Sequence, residues 1–456
     1  MISTLTNPLL PNSLSWKSIA IAWCLHVFSA LANADDSLWN HLTSPDQFAE
    51  MRGMSAEFEN VGDRRLLQAT LPKINLPTGE TQRQAPRGIG WISLPPPEAG
   101  WNLTRSRHVR AKVRNTGLKP AETTLWVVSS HGWAAVGGAA TLEPNQTATL
   151  ECDLRQTYPD GTPRIDPSKI SEIRIMVQRT DSANLEISNL VAAGTANPWV
   201  RPSGRMDVPD MELREPVAGK RVRYQLPGDP ESEIYSVLYL PPNWKPGNLY
   251  PVIAEFPGNL FFNARACWST GRPEQCQMGY GITSGRDAIW ISLPFVDQPN
   301  GTIAESGFGS NRGQDTVSHT RKMMDHILSQ WGGDRENVYL CGFSRGSIAC
   351  GYIGLANEEI AELWKGIIGC QHYDGSNWRE SNMEDAVLRA PRFRGQAIFQ
   401  VDNSQEKYQP VVDATNPSVD WTWVPSKLGY HATAMFLDDR PAMVTLRQWF
   451  QDLNRN

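Results

Sequence analysis

Hydrophobic and polar positions alternate in one way along the first part of the chain and in another along the rest. Between about Leu38 and Gly194, short runs alternate apolar and polar residues: His108–Val113, Thr123–Val128, Ala148–Leu154, Ile170–Val177 and Leu185–Val191. Gly, Pro, Asn and Asp break these runs at the spacing of an all-β sandwich. After a Pro-, Arg- and polar-rich stretch, Thr195–Lys220, the rhythm changes. Pro251–Phe256 and Ala288–Pro294 are continuous apolar runs, as buried parallel strands require. Asp315–Trp331 has apolar residues at helical spacing and stops at Gly332-Gly333. Trp364–Cys370, Ala397–Val401 and Trp421–Val424 supply further strands, and Pro441–Leu453 a closing helix. Arg221–Leu226 and Ile234–Leu240 read as antiparallel opening strands. Alternating strand and helix predicts a mostly parallel α/β sheet covered by helices on both faces.

The pattern therefore predicts two domains with a leader. A jelly-roll-like β-sandwich occupies 35–194, a linker 195–220 and an α/β domain 221–456. Residues 1–34 read as a signal peptide, with an uncleaved anchor as the alternative: Lys17, an apolar Ser18–Leu31 too short to span a bilayer, then Ala32-Asn33-Ala34. The mature chain is expected to start at Asp35, secreted or periplasmic and free of the membrane. The 456 residues suffice for two or three cores, and the formal charge of −5 argues against a nucleic-acid binder. No phosphate loop, dinucleotide fingerprint or metal motif is present, so neither cofactor nor metal is expected. In an oxidising compartment Cys267 and Cys276 are the expected disulfide.

The chemistry centres on Asn337–Leu355. A strand, Val338–Cys341, runs into Gly342-Phe343-Ser344-Arg345-Gly346, and a small-residue helix follows. Strand, Gly-x-Ser-x-Gly, helix is the context of a nucleophile elbow. The glycines avoid clashes, the turn lifts Ser344 above the sheet, and the helix N-terminus faces a developing oxyanion. A serine nucleophile needs a base and an orienting acid. His431, between the last strand and the closing helix, is the expected base. His372 comes too early and is expected in the pocket wall. The acid is Asp402, directly after Ala397–Val401, with Glu406 as the alternative. The oxyanion donors are the Arg345 N–H and an N–H of Asn259 or Leu260, on the loop that begins Pro257-Gly258.

On these residues, Arg221 to the C-terminus resembles the α/β-hydrolase superfamily. Within it, the chain is most similar to secreted carbohydrate esterases of the feruloyl and acetyl xylan esterase kind. The sandwich resembles jelly-roll carbohydrate-binding modules through Val113-Arg114-Asn115, Leu142–Thr147 and Ile165-Asp166 before Ile170–Ile173; the other reading is a structural or spacer sandwich. The resemblances imply an esterase acting on a polysaccharide or other glycan ester. Two alternatives are a non-catalytic glycan-binding protein on a hydrolase scaffold and a prolyl-oligopeptidase-like serine peptidase. The position of Arg345 is similar to that in glucuronoyl esterases, whose elbow reads Gly-x-Ser-Arg-x-Gly. That likeness implies a side chain at the oxyanion; the other reading is an arginine turned away and paired with a carboxylate.

Overall fold

The computed structural model describes residues 37–455, apart from 63, 74–87, 130–134, 179, 181, 229–232 and 265–267. The predicted signal segment and Cys267 lie outside the described residues. Among the described residues the first half carries ten strands: β1 Glu50–Arg52, β2 Ser55–Val61, β3 Arg64–Leu71, β4 Gly90–Leu94 and β5 Ser106–Asn115, then β6 Ala121–Ser129, β7 Ala135–Leu142, β8 Thr147–Asp153, β9 Ile170–Gln178 and β10 Ala183–Thr195. They form two five-stranded sheets, ordered β1-β4-β9-β6-β7 and β2-β3-β10-β5-β8. Among the described residues both sheets are antiparallel, as in β4 with β9 and β5 with β10. The alternation read from the sequence explains the stacking. Ile92, Leu94, Leu125, Val127, Ile173 and Ile175 point inward from one sheet against Leu67, Val109, Ala111, Val113, Leu185 and Ile187 of the other. Each Val, Leu or Ile among them contributes roughly 1.5–3 kcal/mol on burial.

The opposite face of the first sheet is not a solvent face. Its outward positions include Trp91 and Ser93 on β4, Trp126 and Val128 on β6, and Glu172, Arg174 and Met176 on β9. Trp91, Trp126 and Met176 are buried against Phe262 of the second domain.

The second half adds β11 Met211–Glu212, β12 Arg221–Tyr224, β13 Ser236–Tyr239, β14 Tyr250–Phe256, β15 Phe261–Phe262, β16 Trp268–Ser269, β17 Ile289–Ser292, β18 Val296–Asp297 and β19 Thr302–Ile303. After these come β20 Gly333–Phe343, β21 Gly366–Cys370, β22 Ala397–Val401 and β23 Asp420–Val424. Nine strands make one sheet, β11-β12-β13-β17-β14-β20-β21-β22-β23. It opens antiparallel at β12-β13 and β13-β17 and is parallel from β17 through β23. The helices are α1 Met278–Thr283, α2 Gln314–Gln330, α3 Arg345–Tyr352, α4 Glu358–Ala361, α5 Met383–Arg389, α6 Gln405–Ala414 and α7 Pro441–Arg455.

Both sheet faces are covered, which is why the central strands are apolar without alternation. Val252, Ala254, Val338 and Leu340 share a core with Met323, Met324 and Ile327 of α2 and Ile348 of α3. Ile253, Tyr339 and Cys341 pack on the other face with Met278 and Ile282 of α1 and Leu446 of α7.

Two expectations are corrected. The predicted linker is docked: β11 joins the sheet parallel to β12, and the Met206 N–H bonds the Leu437 carbonyl. Its run of prolines and charges hid how many backbone groups find partners on the second domain. The disulfide is also corrected. Cys276 is a free thiol, buried against the central strand β14 beside the Glu255 carbonyl.

Candidate active site

The elbow forms because β20 meets α3 with a single residue between them. Ser344 occupies that turn at φ 54° and ψ −115°, a strained conformation for a residue with a side chain. Its N–H bonds the Cys370 carbonyl at 2.9 Å and its carbonyl accepts from the Ile348 N–H, so the turn is held at both ends. The flanking glycines are sterically required. A Cβ on Gly342 would sit 2.2 Å from the Gly346 carbonyl carbon, and one on Gly346 would sit 2.0 Å from the Phe256 oxygen.

His431 lies on the loop between β23 and α7, and its Nε2 is 3.0 Å from Ser344 Oγ. Its ring packs against Phe343, centroids 4.6 Å apart, and against His372 at 5.6 Å. Burial, reinforced by His372, pulls the His431 pKa down to about 4, so the imidazole is neutral at pH 7 and able to accept a proton. Burial also lowers the pKa of His372, and Lys407 adds to the effect. His372 lines the cavity described below.

The carboxylate arrangement differs from expectation. Asp402 follows β22, at φ 56°. Its Oδ1 accepts from the Ser426 N–H at 2.6 Å; its Oδ2 accepts from Ser426 Oγ at 2.6 Å and Gln371 Nε2 at 3.1 Å. Gln371 Nε2 also donates to the carbonyl of Tyr430, the residue before His431, at 2.7 Å. Asp402 thus braces the histidine loop at Ser426 and, through Gln371, at Tyr430. Among the described residues no carboxylate pairs directly with His431. Glu406 is exposed in the first turn of α6.

Of the loop donors, Leu260 is corrected. Its N–H is spent on the Glu305 carbonyl at 2.8 Å. The Asn259 and Arg345 N–H groups have no hydrogen-bond partner among the described residues, and both residues line the cavity. Asn259 is held by its side chain, which donates to the Leu260 carbonyl and accepts from the Gly307 N–H.

Both readings of the Arg345 side chain are corrected as well. It is 1% exposed, and its hydrogen bonds go to backbone carbonyls rather than to a carboxylate. Nη1 donates to the Ala304 and Gly307 carbonyls at 3.0 and 2.9 Å; Nη2 donates to those of Gly258 and Gly271 at 2.7 and 2.8 Å. The guanidinium lies 4.0 Å above the Phe295 ring. Burial lowers its pKa to about 9. Five N–H groups in a planar fork suit an arginine to hold several carbonyls at once. Arg345 therefore ties three loops together, and Gly258, next to Asn259, belongs to one of them.

A cavity of about 760 Å³ lies over Ser344 and His431. Its walls come from both domains: Pro257–Asn259, Trp268–Thr270, His372 and Ser376–Trp378 from the second, and Trp91, Val128, Ser129, Ser171, Glu172 and Arg174 from the sandwich. A second contact of the sandwich reaches the histidine loop. Tyr158 packs on Tyr430 with centroids 5.4 Å apart, and Asp160 pairs with Arg440 at 3.0 Å. Arg440 in turn donates to the Ser426 carbonyl.

Sequence reasoning missed Gln371 and the whole sandwich side of the cavity. Arg174 and Glu172 carry one faint signal: charges at alternate positions of an otherwise apolar strand, Ile170–Val177.

No family model and no curated protein matches this chain. Among solved structures, it is similar to an esterase from Rhizomucor miehei at 13% identity and TM-score 0.33, over 49% of this chain and 81% of that one. It is similar to a sugar hydrolase from Lactococcus lactis at 12% identity and TM-score 0.35, over 52% and 98%. A family 11 carbohydrate-binding module from Clostridium thermocellum is similar at 14% identity and TM-score 0.23, over 32% and 86%. Among the described residues, no helix is long and apolar enough to cross a membrane.

Proposed function

We propose that the protein is an exported serine hydrolase that cleaves carboxylic esters of carbohydrates. The observation that carries this reading is the 3.0 Å contact between Ser344 Oγ, at a strained elbow, and His431 Nε2 under a large cavity. His431 Nε2 takes the Oγ proton as Oγ bonds the ester carbonyl carbon. The oxyanion that forms meets the Asn259 and Arg345 N–H groups. The imidazolium then protonates the departing alcohol, leaving an acyl-serine, and a water deprotonated by His431 releases the acid. Asp402 is the orienting carboxylate in this reading, acting on the histidine loop through Ser426 and Gln371. The carbohydrate part of the reading is supported by the sandwich architecture and by the polar wall that the sandwich turns to the cavity.

The test is hydrolysis of 4-nitrophenyl acetate and of acetylated oligosaccharides by the purified protein and by Ser344→Ala. The expected loss of turnover on removing the nucleophile is on the order of a millionfold at unchanged folding. Full activity in the folded variant would end the proposal.

A further inference from the structure

The sandwich sheet β1-β4-β9-β6-β7 turns its outer face to the nucleophile rather than to solvent. On it, Arg174 is 3% exposed and lies between two indoles, 4.6 Å from the Trp91 ring and 4.4 Å from that of Trp268. Its Nε donates to Ser93 Oγ and Glu172, and its Nη2 donates to Glu50 Oε2 at 3.2 Å. Its Nη1 is buried with no hydrogen-bond partner. A buried donor left unmatched is costly, and Arg174 lines the cavity that holds Ser344. Ser129, Ser171 and Glu172 line the same end.

We propose that this sheet face is the subsite for the sugar portion of the ester, so that the sandwich determines which alcohol the catalytic domain accepts. The inference rests on the hydrolase reading and adds the place and chemistry of recognition. Glu50 and Glu172 already pair with the Arg174 guanidinium, and Arg272 also approaches Glu50, so the charges on this face are matched within the protein. A sugar hydroxyl fits: it accepts from Nη1 and donates its own proton to a carboxylate or serine oxygen. The face therefore suits a neutral, hydroxyl-rich alcohol. Because Phe262 and Trp268 cover the aromatic part of this face, it serves the cavity and is closed to a long glycan lying across it.

The experiment compares kcat/KM for a matched pair of acetyl esters, one of 4-nitrophenol and one of a neutral disaccharide, in wild type, Val128→Trp and Arg174→Lys. Val128 lines the cavity on β6, and tryptophan there fills the sugar end; lysine at 174 keeps the charge and removes the fork. The ratio of disaccharide to 4-nitrophenyl kcat/KM is expected to fall about tenfold in each, the equivalent of one lost hydrogen bond or an obstructed site. Because Arg174 is buried, thermal unfolding of both variants is measured, and Val128→Trp alone decides the outcome if Arg174→Lys does not fold. An unchanged ratio in a folded Val128→Trp, or a wild type that discriminates against the sugar ester, would overturn the subsite. Activity retained by Ser344→Ala would overturn the hydrolase reading itself, a separate result.

Discussion

Arg345→Met separates a staple from an oxyanion ligand. The variant keeps an apolar stem over Phe295 and removes the four donors to Gly258, Gly271, Ala304 and Gly307. Hydrogen bonds from a charged group contribute about 1.5–3 kcal/mol each, and part of that sum is offset by no longer burying a cation. A net loss of about 4 kcal/mol follows, comparable to breaking a buried ion pair. For a domain of this size that lowers Tm by roughly 8–16 °C. Freeing the Gly258 carbonyl also loosens the loop that presents Asn259, and a misplacement of about 1 Å costs on the order of a hundredfold in rate. Thermal unfolding followed by circular dichroism, with kcat on 4-nitrophenyl acetate measured well below the transition, reads both effects. A hundredfold loss of kcat with Tm unchanged would refute the reasoning and return the side chain to the oxyanion.

Asp402→Asn is expected to lower kcat by about tenfold to a hundredfold by unfastening the histidine loop, whereas Glu406→Gln, at an exposed helix turn, leaves kcat within about twofold; steady-state kinetics on both decides the acid. The pH dependence follows from His431, whose pKa is lowered to about 4 by burial and His372. Only the neutral ring accepts the serine proton, so the acid limb of kcat/KM is expected near pH 4 rather than near the ordinary histidine value of about 6.5. The same shift links to stability. Between about pH 6.5 and 4 the unfolded chain binds the proton and the folded one does not, so stability present above pH 6.5 falls by up to about 3 kcal/mol as pH drops to 4. An acid limb at or above pH 6.5 would contradict the role given to the buried His431 ring.

The fold was legible where the hydrophobic period was unambiguous. The alternating runs became β5, β6, β8, β9 and β10, and the continuous apolar runs became the parallel strands around β14 and β20. The elbow was legible because its glycines are forced by backbone approaches near 2 Å. The 3.0 Å approach of His431 to Ser344 was legible from chain order. What the sequence could not carry were contacts set by docking. The outer face of β4, β6 and β9 reads as the solvent side of a sandwich until Phe262 and Trp268 cover it. Arg345 reads as a charge beside a nucleophile, and only the three loops around it show that its partners are carbonyls. Leu260 and Asn259 are equal candidates in sequence, and the Glu305 carbonyl separates them.

The central claim is that Ser344, activated by His431, is a nucleophile. Incubation of the full chain with a fluorophosphonate and peptide mapping by mass spectrometry tests it directly. One stoichiometric adduct is expected on the peptide carrying Ser344, abolished in Ser344→Ala and slowed by orders of magnitude in His431→Ala. No adduct, or one on another residue with Ser344 unmodified, would contradict it.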